Sequence, residues 1–320
     1  MLGLALIPLL AACPEPQPDM RPPTEQPAAE VRPEPRVAPA PERDLPAMAI
    51  TVDDLPWVGP LPPGMSRLEA TDSILAALAA HDATATAFVN CDRVPPGAPV
   101  LRRWLQAGHQ LGNHTSGHLD LNRADPAAWA ADAMSCDAFL RELTGHDAIP
   151  FRYPYLHRGH TVERYRVGRE TIDAMSAPVA PVTIESLDWV MNNDYVAALQ
   201  AGDQARARTI ADAYIDHILR ASSHYQQVAG ERLGRDVAHI ILLHANALLA
   251  HNLRHLLRLL AQEGFRFITL EAALRDPVYH LDDDYLGPLG ISWLYRIPPA
   301  APELFQWDRA ERDRLRALAR

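Results

Sequence analysis

From Ala47 to about residue 275, short apolar runs suited to strands alternate with longer stretches spaced for helices. Met48–Val52 is an apolar run ending in Asp53-Asp54, residues 66–81 show helical spacing, and Thr84–Val89 is short and β-branched. A helix over 98–107 stops at Gly108, Gln110–Asn113 reads as a strand end, and Pro126–Leu143 reads as a helix closed by Gly145. Strand-like pieces follow at 149–153 and 181–187, then a long helical stretch at about 204–224. His239–Leu243 is a wholly apolar strand, Ala247–Gln262 a helix and Phe265–Ile268 a last strand. This order predicts an α/β fold around a mainly parallel sheet, whose strands need crossover helices between them.

The region before Ala47 obeys other rules. Residues 2–12 are wholly apolar and meet Cys13. They are too few to span a bilayer, which takes about twenty residues, but they suit the apolar core of an export signal. Leu10-Ala11-Ala12-Cys13 resembles a bacterial lipobox, which implies cleavage before Cys13 and lipid attachment to it. Of the 29 prolines, 11 fall in residues 14–47, with alternating Glu and Arg and no aromatic residue. Such a segment cannot bury enough apolar surface to order itself, and as an extended spacer it reaches roughly 100 Å. The segments 1–13 and 14–47 are therefore expected to be a signal with lipobox and a disordered linker. They would tether an exported protein to the membrane through Cys13, on the periplasmic side of a bacterial envelope. The tail 276–320, with Trp293, Tyr295 and Trp307, is too aromatic for disorder and is expected to pack on the domain as a C-terminal extension. Its last helix, 308–320, is dense in charge and reads as solvent-facing.

Charge removes several function classes. Thirty basic residues against 40 acidic give a net charge of −10, which argues against nucleic acid as a partner. Every basic residue besides histidine is arginine, so Schiff-base lysines and phosphate loops of the GK[ST] type are excluded.

Polar residues gather where such folds place function, at the carboxyl ends of strands. Asp53-Asp54, His114 with His118, Arg152, Asp188 and His244 all fall there. Singly, each suits a solvated strand end or a surface ion pair. Together and in order they resemble the five motifs of the polysaccharide deacetylase family (NodB-homology domain, carbohydrate esterase family 4). Thr51-Val52-Asp53-Asp54 is similar to TFDD, and Asn113-His114-Thr115-Ser116-Gly117-His118 to NH[ST]xxH. Phe151-Arg152-Tyr153-Pro154-Tyr155 is similar to RxPY, Asp188-Trp189 to the Asp-Trp motif, and Ile241-Leu242-Leu243-His244 to the final LxH. Val52, Leu55-Pro56 and Leu156 depart from the family's Phe, Gly-Pro and Gly. No motif residue with chemistry is lost, so the resemblance carries the chemistry and leaves the pocket's shape, and hence the substrate, open.

The resemblance implies a distorted (β/α) barrel of the NodB-homology type over residues 48–275, with a helical insertion between Asp188 and His244. It implies one divalent metal ion held by Asp54, His114 and His118, with zinc the default and cobalt or nickel alternatives. Asp53 would be the general base, oriented by Arg152, and His244 the general acid, set by Asp188. The backbone N–H of Tyr155 would face the developing oxyanion, and Trp189 and Leu242 would receive the acetyl methyl group. The implied activity is metal-dependent removal of acetyl groups, N-acetyl before O-acetyl, from an envelope or extracellular polysaccharide by a monomeric enzyme. The competing readings are a catalytically silent glycan-binding lipoprotein and, further off, a metallophosphoesterase. Asp282-Asp283-Asp284 reads as a solvated acidic loop rather than a second cation site. Cys91 and Cys136 are free to pair in an oxidising compartment or to stay as thiols.

Overall fold

The computed structural model describes residues 46–319, so the expected signal segment and all but the end of the expected linker, Cys13 included, lie outside the described residues. Six parallel strands make the sheet: β1 (Ala47–Leu55), β2 (Ala85–Val89), β3 (Gln110–Asn113), β4 (Ile184–Glu185), β5 (His239–His244) and β6 (Arg266–Ile268). Their order is β3-β2-β1-β5-β4, with β6 pairing to the first residues of β1. All nine residues of β1 are buried, as befits a central strand covered on both faces.

The sheet closes through backbone that is barely strand. Phe151 bridges to Asn113 at the end of β3 and to Val179 on its other side. The chain from 178 to 186 then crosses the remaining gap. The Ala180 N–H donates to the Phe151 carbonyl, while Thr183 and Ser186 donate to Ile240 and Leu242 of β5. One extended segment thus pairs with Phe151 through its first half and with β5 through its second. This closure accounts for the two expected strands, 149–153 and 181–187, that shrink to an isolated bridge and a two-residue strand. The fold is the distorted α/β barrel.

The helices are α1 (Arg67–Ala79), α2 (Pro99–Gln106), α3 (Pro126–Thr144), α4 (Val162–Met175) and α5 (Asn192–Gln200). They continue with α6 (Gln204–Leu233), α7 (Ala247–Gln262), α8 (Leu270–Ala273), α9 (Trp293–Arg296) and α10 (Gln306–Ala319). Local chemistry sets their ends. Ser66 and Glu69 form a capping box on α1, and Asp125 caps α3, which closes on left-handed Gly145. The periodicity did not reveal α4 and α5, and α6 runs nine residues beyond the expected limit of about 224, to Leu233. No helix among the described residues is long and apolar enough to cross a membrane.

Two expectations for the tail are corrected. Helix α10 is not solvent-facing: Asp308, Glu311, Leu315 and Ala319 are buried, and α10 packs on α6. Glu311 accepts hydrogen bonds from Arg220 and Arg314 and pairs with His217, and Asp308 accepts one from the Tyr225 hydroxyl. Nor is Asp283 solvated. Its buried carboxylate takes a bidentate bond from Arg296, at 2.9 Å to each oxygen, and a second ion pair from Arg158. Asp283 is thus a buried anchor for α9, while Asp282 and Asp284 on either side of it are exposed. Cys91 and Cys136 form a disulfide, joining the turn after β2 to α3 with 5.4 Å between their Cα atoms.

Candidate active site

The mouth of the barrel at the carboxyl ends of the strands holds a cavity of about 550 Å³, lined by Asp53, Asp54, His114, His118 and His244. In a regular strand Asp53 and Asp54 would point to opposite faces. Here the register of β1 against β2 shifts between Val52 and Leu55, and Asp54 takes a left-handed backbone with φ +66°. Such a bulge re-aims a side chain, so both carboxylates line one cavity. Left-handed backbone is costly for residues other than glycine and is held only where the surroundings over-determine it.

The loop after β3 brings two imidazoles to Asp54. It turns through left-handed Thr115 (φ +62°) and His118 (φ +57°). The Asn113 side chain accepts from the Thr115 N–H and donates to the Ala133 carbonyl of α3, and the Asp132 carboxylate accepts from the Gly117 N–H. Helix α3 therefore holds the loop in place. One donor atom each from Asp54, His114 and His118 lie within 4.8 Å of one another. His114 Nδ1 lies 2.9 Å from the Arg152 carbonyl, which assigns the ring proton there and leaves Nε2 facing the carboxylates. Burial pushes the His114 pKa down to about 3, with His118 adding to the effect, so this imidazole stays neutral. Burial also lowers His118. Burial works against charge on Asp54, yet His244, His114, His118 and Arg93 outweigh it and lower its pKa.

A divalent cation fits this donor set. Asp54 Oδ1 is buried without a hydrogen-bond partner among the described residues, 3.5 Å from His118 Nε2 and 4.0 Å from His114 Nε2. An orphaned carboxylate oxygen facing two neutral imidazole nitrogens is costly unless something positive satisfies all three.

Two buried acid–base pairs flank the cluster. Arg152 Nη1 donates to Asp53 Oδ1 at 3.0 Å and to Thr51 Oγ1 at 2.8 Å, Nε donates to the Ala180 carbonyl, and the guanidinium lies over the Phe88 ring. Burial pushes Asp53 up to about 6, although Arg152 and His244 pull the other way. Across the cavity, Asp188 Oδ1 lies 2.6 Å from His244 Nδ1 while Oδ2 accepts from the His244 backbone N–H at 3.0 Å. Burial disfavours the imidazolium, but Asp188, then Asp54 and Asp53, outweigh it and raise His244 to about 10.

Tyr155, Trp189 and Leu242 also line the cavity. Tyr155 has a left-handed backbone (φ +59°), and its half-exposed ring lies 4.5 Å from the His118 ring. Leu242 is buried, while Trp189 is 46% exposed and donates its indole N–H to Glu185. All ten residues singled out in the sequence thus gather around one mouth, with Arg152 and Asp188 just behind its surface. Glu185, Phe305, Asp308 and Arg312 line the same cavity and went unnoticed in the sequence. Glu185 sits three residues before a motif. The other three lie in a tail with no motif at all.

The parallel barrel thus carries a carboxylate–imidazole cluster and two acid–base pairs at its mouth. Residues 41–168 match the polysaccharide deacetylase family model. A chitin deacetylase of Arthroderma benhamiae is 28% identical over 121 residues, 37% of this chain and 30% of that protein. A peptidoglycan-N-acetylglucosamine deacetylase of Listeria monocytogenes is 23% identical over 146 residues, 46% of this chain and 27% of that protein. The chain therefore matches less than a third of the length of either relative. The solved structure of a carbohydrate esterase family 4 pseudoenzyme from Bacillus anthracis aligns with a TM-score of 0.52 at 14% identity, covering 72% of this chain and 66% of that one. That likeness concerns the fold alone. The likeness to the polysaccharide deacetylase family rests on residues 41–168 of this chain.

Proposed function

We propose that the protein is a metal-dependent deacetylase of an acetylated polysaccharide of the cell envelope or extracellular space, with N-acetyl groups preferred to O-acetyl. The observation that carries this reading is the convergence of the Asp54–His114–His118 donors, between the Asp53–Arg152 and His244–Asp188 pairs, in one cavity. A divalent ion, zinc by the chemistry of the donors, would be held by those three residues and supplies Lewis-acid polarisation of an acetyl carbonyl.

The chain's own residues do the proton work. Asp53, with its pKa near 6 and its second oxygen facing the cavity, takes a proton from attacking water, while Arg152 keeps the carboxylate oriented. His244 is charged at neutral pH and gives its Nε2 proton to the departing amine or alcohol. Asp188 holds the Nδ1 proton and so fixes which nitrogen donates. The Tyr155 backbone N–H serves as an oxyanion donor, and Leu242 and Trp189 form the apolar wall for the methyl group.

The domain over 48–275 and the extension over 276–320 act as one monomeric unit, carried on a linker from lipidated Cys13 in the envelope. The reading is tested by acetate release from acetylated chito-oligosaccharide, peptidoglycan and xylan, with and without chelator. Chelator-sensitive release supports it. A protein that binds these glycans but releases no acetate from any of them is a silent glycan-binding lipoprotein instead.

A further inference from the structure

The active-site cavity has a second polar wall that the proposed chemistry does not use. Helix α10 contributes Asp308 and, one turn on, Arg312, with Phe305 just before the helix and Glu185 also lining the cavity, next to the Trp189 already given to the acetyl wall. Asp308 is only 5% exposed. The Tyr225 hydroxyl donates to its Oδ1, which fixes the carboxylate, while Oδ2 is buried without a partner among the described residues. Arg312 Nε is buried and likewise without a partner. An unpartnered acceptor and an unpartnered donor therefore stand one helical turn apart on the wall of one cavity, and leaving both unmet costs free energy. Trp189, nearly half exposed, and Phe305 offer apolar ring faces beside them. Burial pushes Asp308 up to about 7, opposed by Tyr225 and reinforced by Glu185, so this group does not behave as a solvated carboxylate.

We propose that Asp308 and Arg312 of the C-terminal extension form a sugar-recognition subsite that grips a neighbouring donor–acceptor pair on a pyranose ring, either two adjacent hydroxyls or an acetamido group. Its donor meets Asp308 Oδ2 and its acceptor meets the Arg312 guanidinium, while the aromatic rings cover the sugar's apolar face. Glycan length and identity are then read by a part of the chain that lies outside the five motifs. The proposal rests on the deacetylase reading for the orientation of the substrate, but not for binding itself.

The test uses the full-length, metal-loaded protein and the variants Arg312→Leu and Asp308→Asn. Substrates are acetylated chito-oligosaccharide, acetylated xylo-oligosaccharide and 4-nitrophenyl acetate, which carries no sugar. A roughly tenfold or greater rise in KM for an oligosaccharide is expected, with a far smaller change for the aryl ester. Losses confined to the chito-oligosaccharide assign the grip to an acetamido group, and losses on both glycans assign it to hydroxyls. Equal losses on all three substrates, or none on any, overturn the subsite. Asp308→Asn keeps the shape and the Tyr225 acceptor, so it decides the matter if Arg312→Leu does not fold. Quenching of tryptophan fluorescence by chito-oligosaccharide reads binding without turnover. Binding that weakens in both variants while the wild type releases no acetate would sink the deacetylase reading and keep the subsite.

Discussion

Replacing Asp188 by Asn leaves shape almost unchanged and removes the charge that holds His244 protonated. In the native protein one carboxylate makes two contacts: Oδ1 meets His244 Nδ1 at 2.6 Å and Oδ2 accepts from the His244 N–H at 3.0 Å. An amide supplies only one acceptor, so while the ring is charged one of these contacts becomes an N–H facing an N–H, a loss of about 1–3 kcal/mol. The larger effect is on the imidazole. Its rise from 6.5 to about 10 corresponds to about 5 kcal/mol of preference for the charged ring, taking 1.36 kcal/mol per pH unit. A raised histidine stabilises the fold fully below its unfolded pKa, and that contribution is lost as pH rises through the folded value. The Asp188→Asn variant should therefore be destabilised most at pH 6 and progressively less towards pH 10. Urea unfolding at the two pH values measures this difference. NMR titration of the His244 ring should show its pKa several pH units lower, because burial persists once Asp188's charge is gone. At pH 8 the neutral ring should cut kcat on amide substrates by roughly 10²–10⁴, the usual share of positioned proton transfer. The basic limb of the pH–rate profile should move to lower pH. A His244 that still titrates above pH 9 in the variant, or a stability loss equal at pH 6 and pH 10, refutes the coupling.

Alanine at Asp54, His114 or His118 should give a folded protein that has lost its metal, and elemental analysis finding a full equivalent in His118→Ala would contradict the ligand assignment. Asp53→Asn should retain metal yet lose roughly 10²–10⁴ in kcat; an active variant would remove Asp53 as the base. The Cys91–Cys136 bond closes a loop with a sequence separation of 45, so the double alanine variant should lose about 4 kcal/mol of unfolding free energy in a chain-entropy account. Unfolding midpoints that do not move on mild reduction would show that the bond contributes nothing. Membrane fractionation should depend on Cys13, and a Cys13→Ser protein that partitions like the wild type without a lipid mass would rule out the tether.

The barrel was legible because its strands are short apolar runs, and the motif residues were legible because they sit where those runs end. Legibility failed wherever tertiary contact overrode local pattern. The stretch 181–187 reads as one strand, but the chain from 178 to 186 divides its hydrogen bonds between Phe151 and β5 and keeps only Ile184–Glu185 as regular strand. Helix α10 reads as a solvated helix because Asp308, Arg309, Glu311, Arg312, Asp313 and Arg314 crowd together. Its buried face exists only because α6 presents Tyr225, His217 and Arg220 to receive those charges. Asp283 hides within three identical residues for the same reason: nothing local tells it apart, and two arginines far from it in sequence bury it. Asp53 and Asp54 share a cavity through a bulge that alternation alone does not foretell.

The tail's place in the cavity wall bears on how specificity is inherited. Asp54 and His244 belong to the strands, whereas Phe305, Asp308 and Arg312 arrive on a segment more distant in sequence and line the same cavity. A chain could keep every barrel residue and exchange this segment, and it would keep the same proposed chemistry behind a different doorway. The match over residues 41–168 speaks for one wall of that doorway only. Close approach constrains the junction itself: a side chain at Gly290 would come within 1.9 Å of the Tyr155 carbonyl oxygen. The tail and the loop that carries Tyr155 are therefore free to diverge only in step with each other.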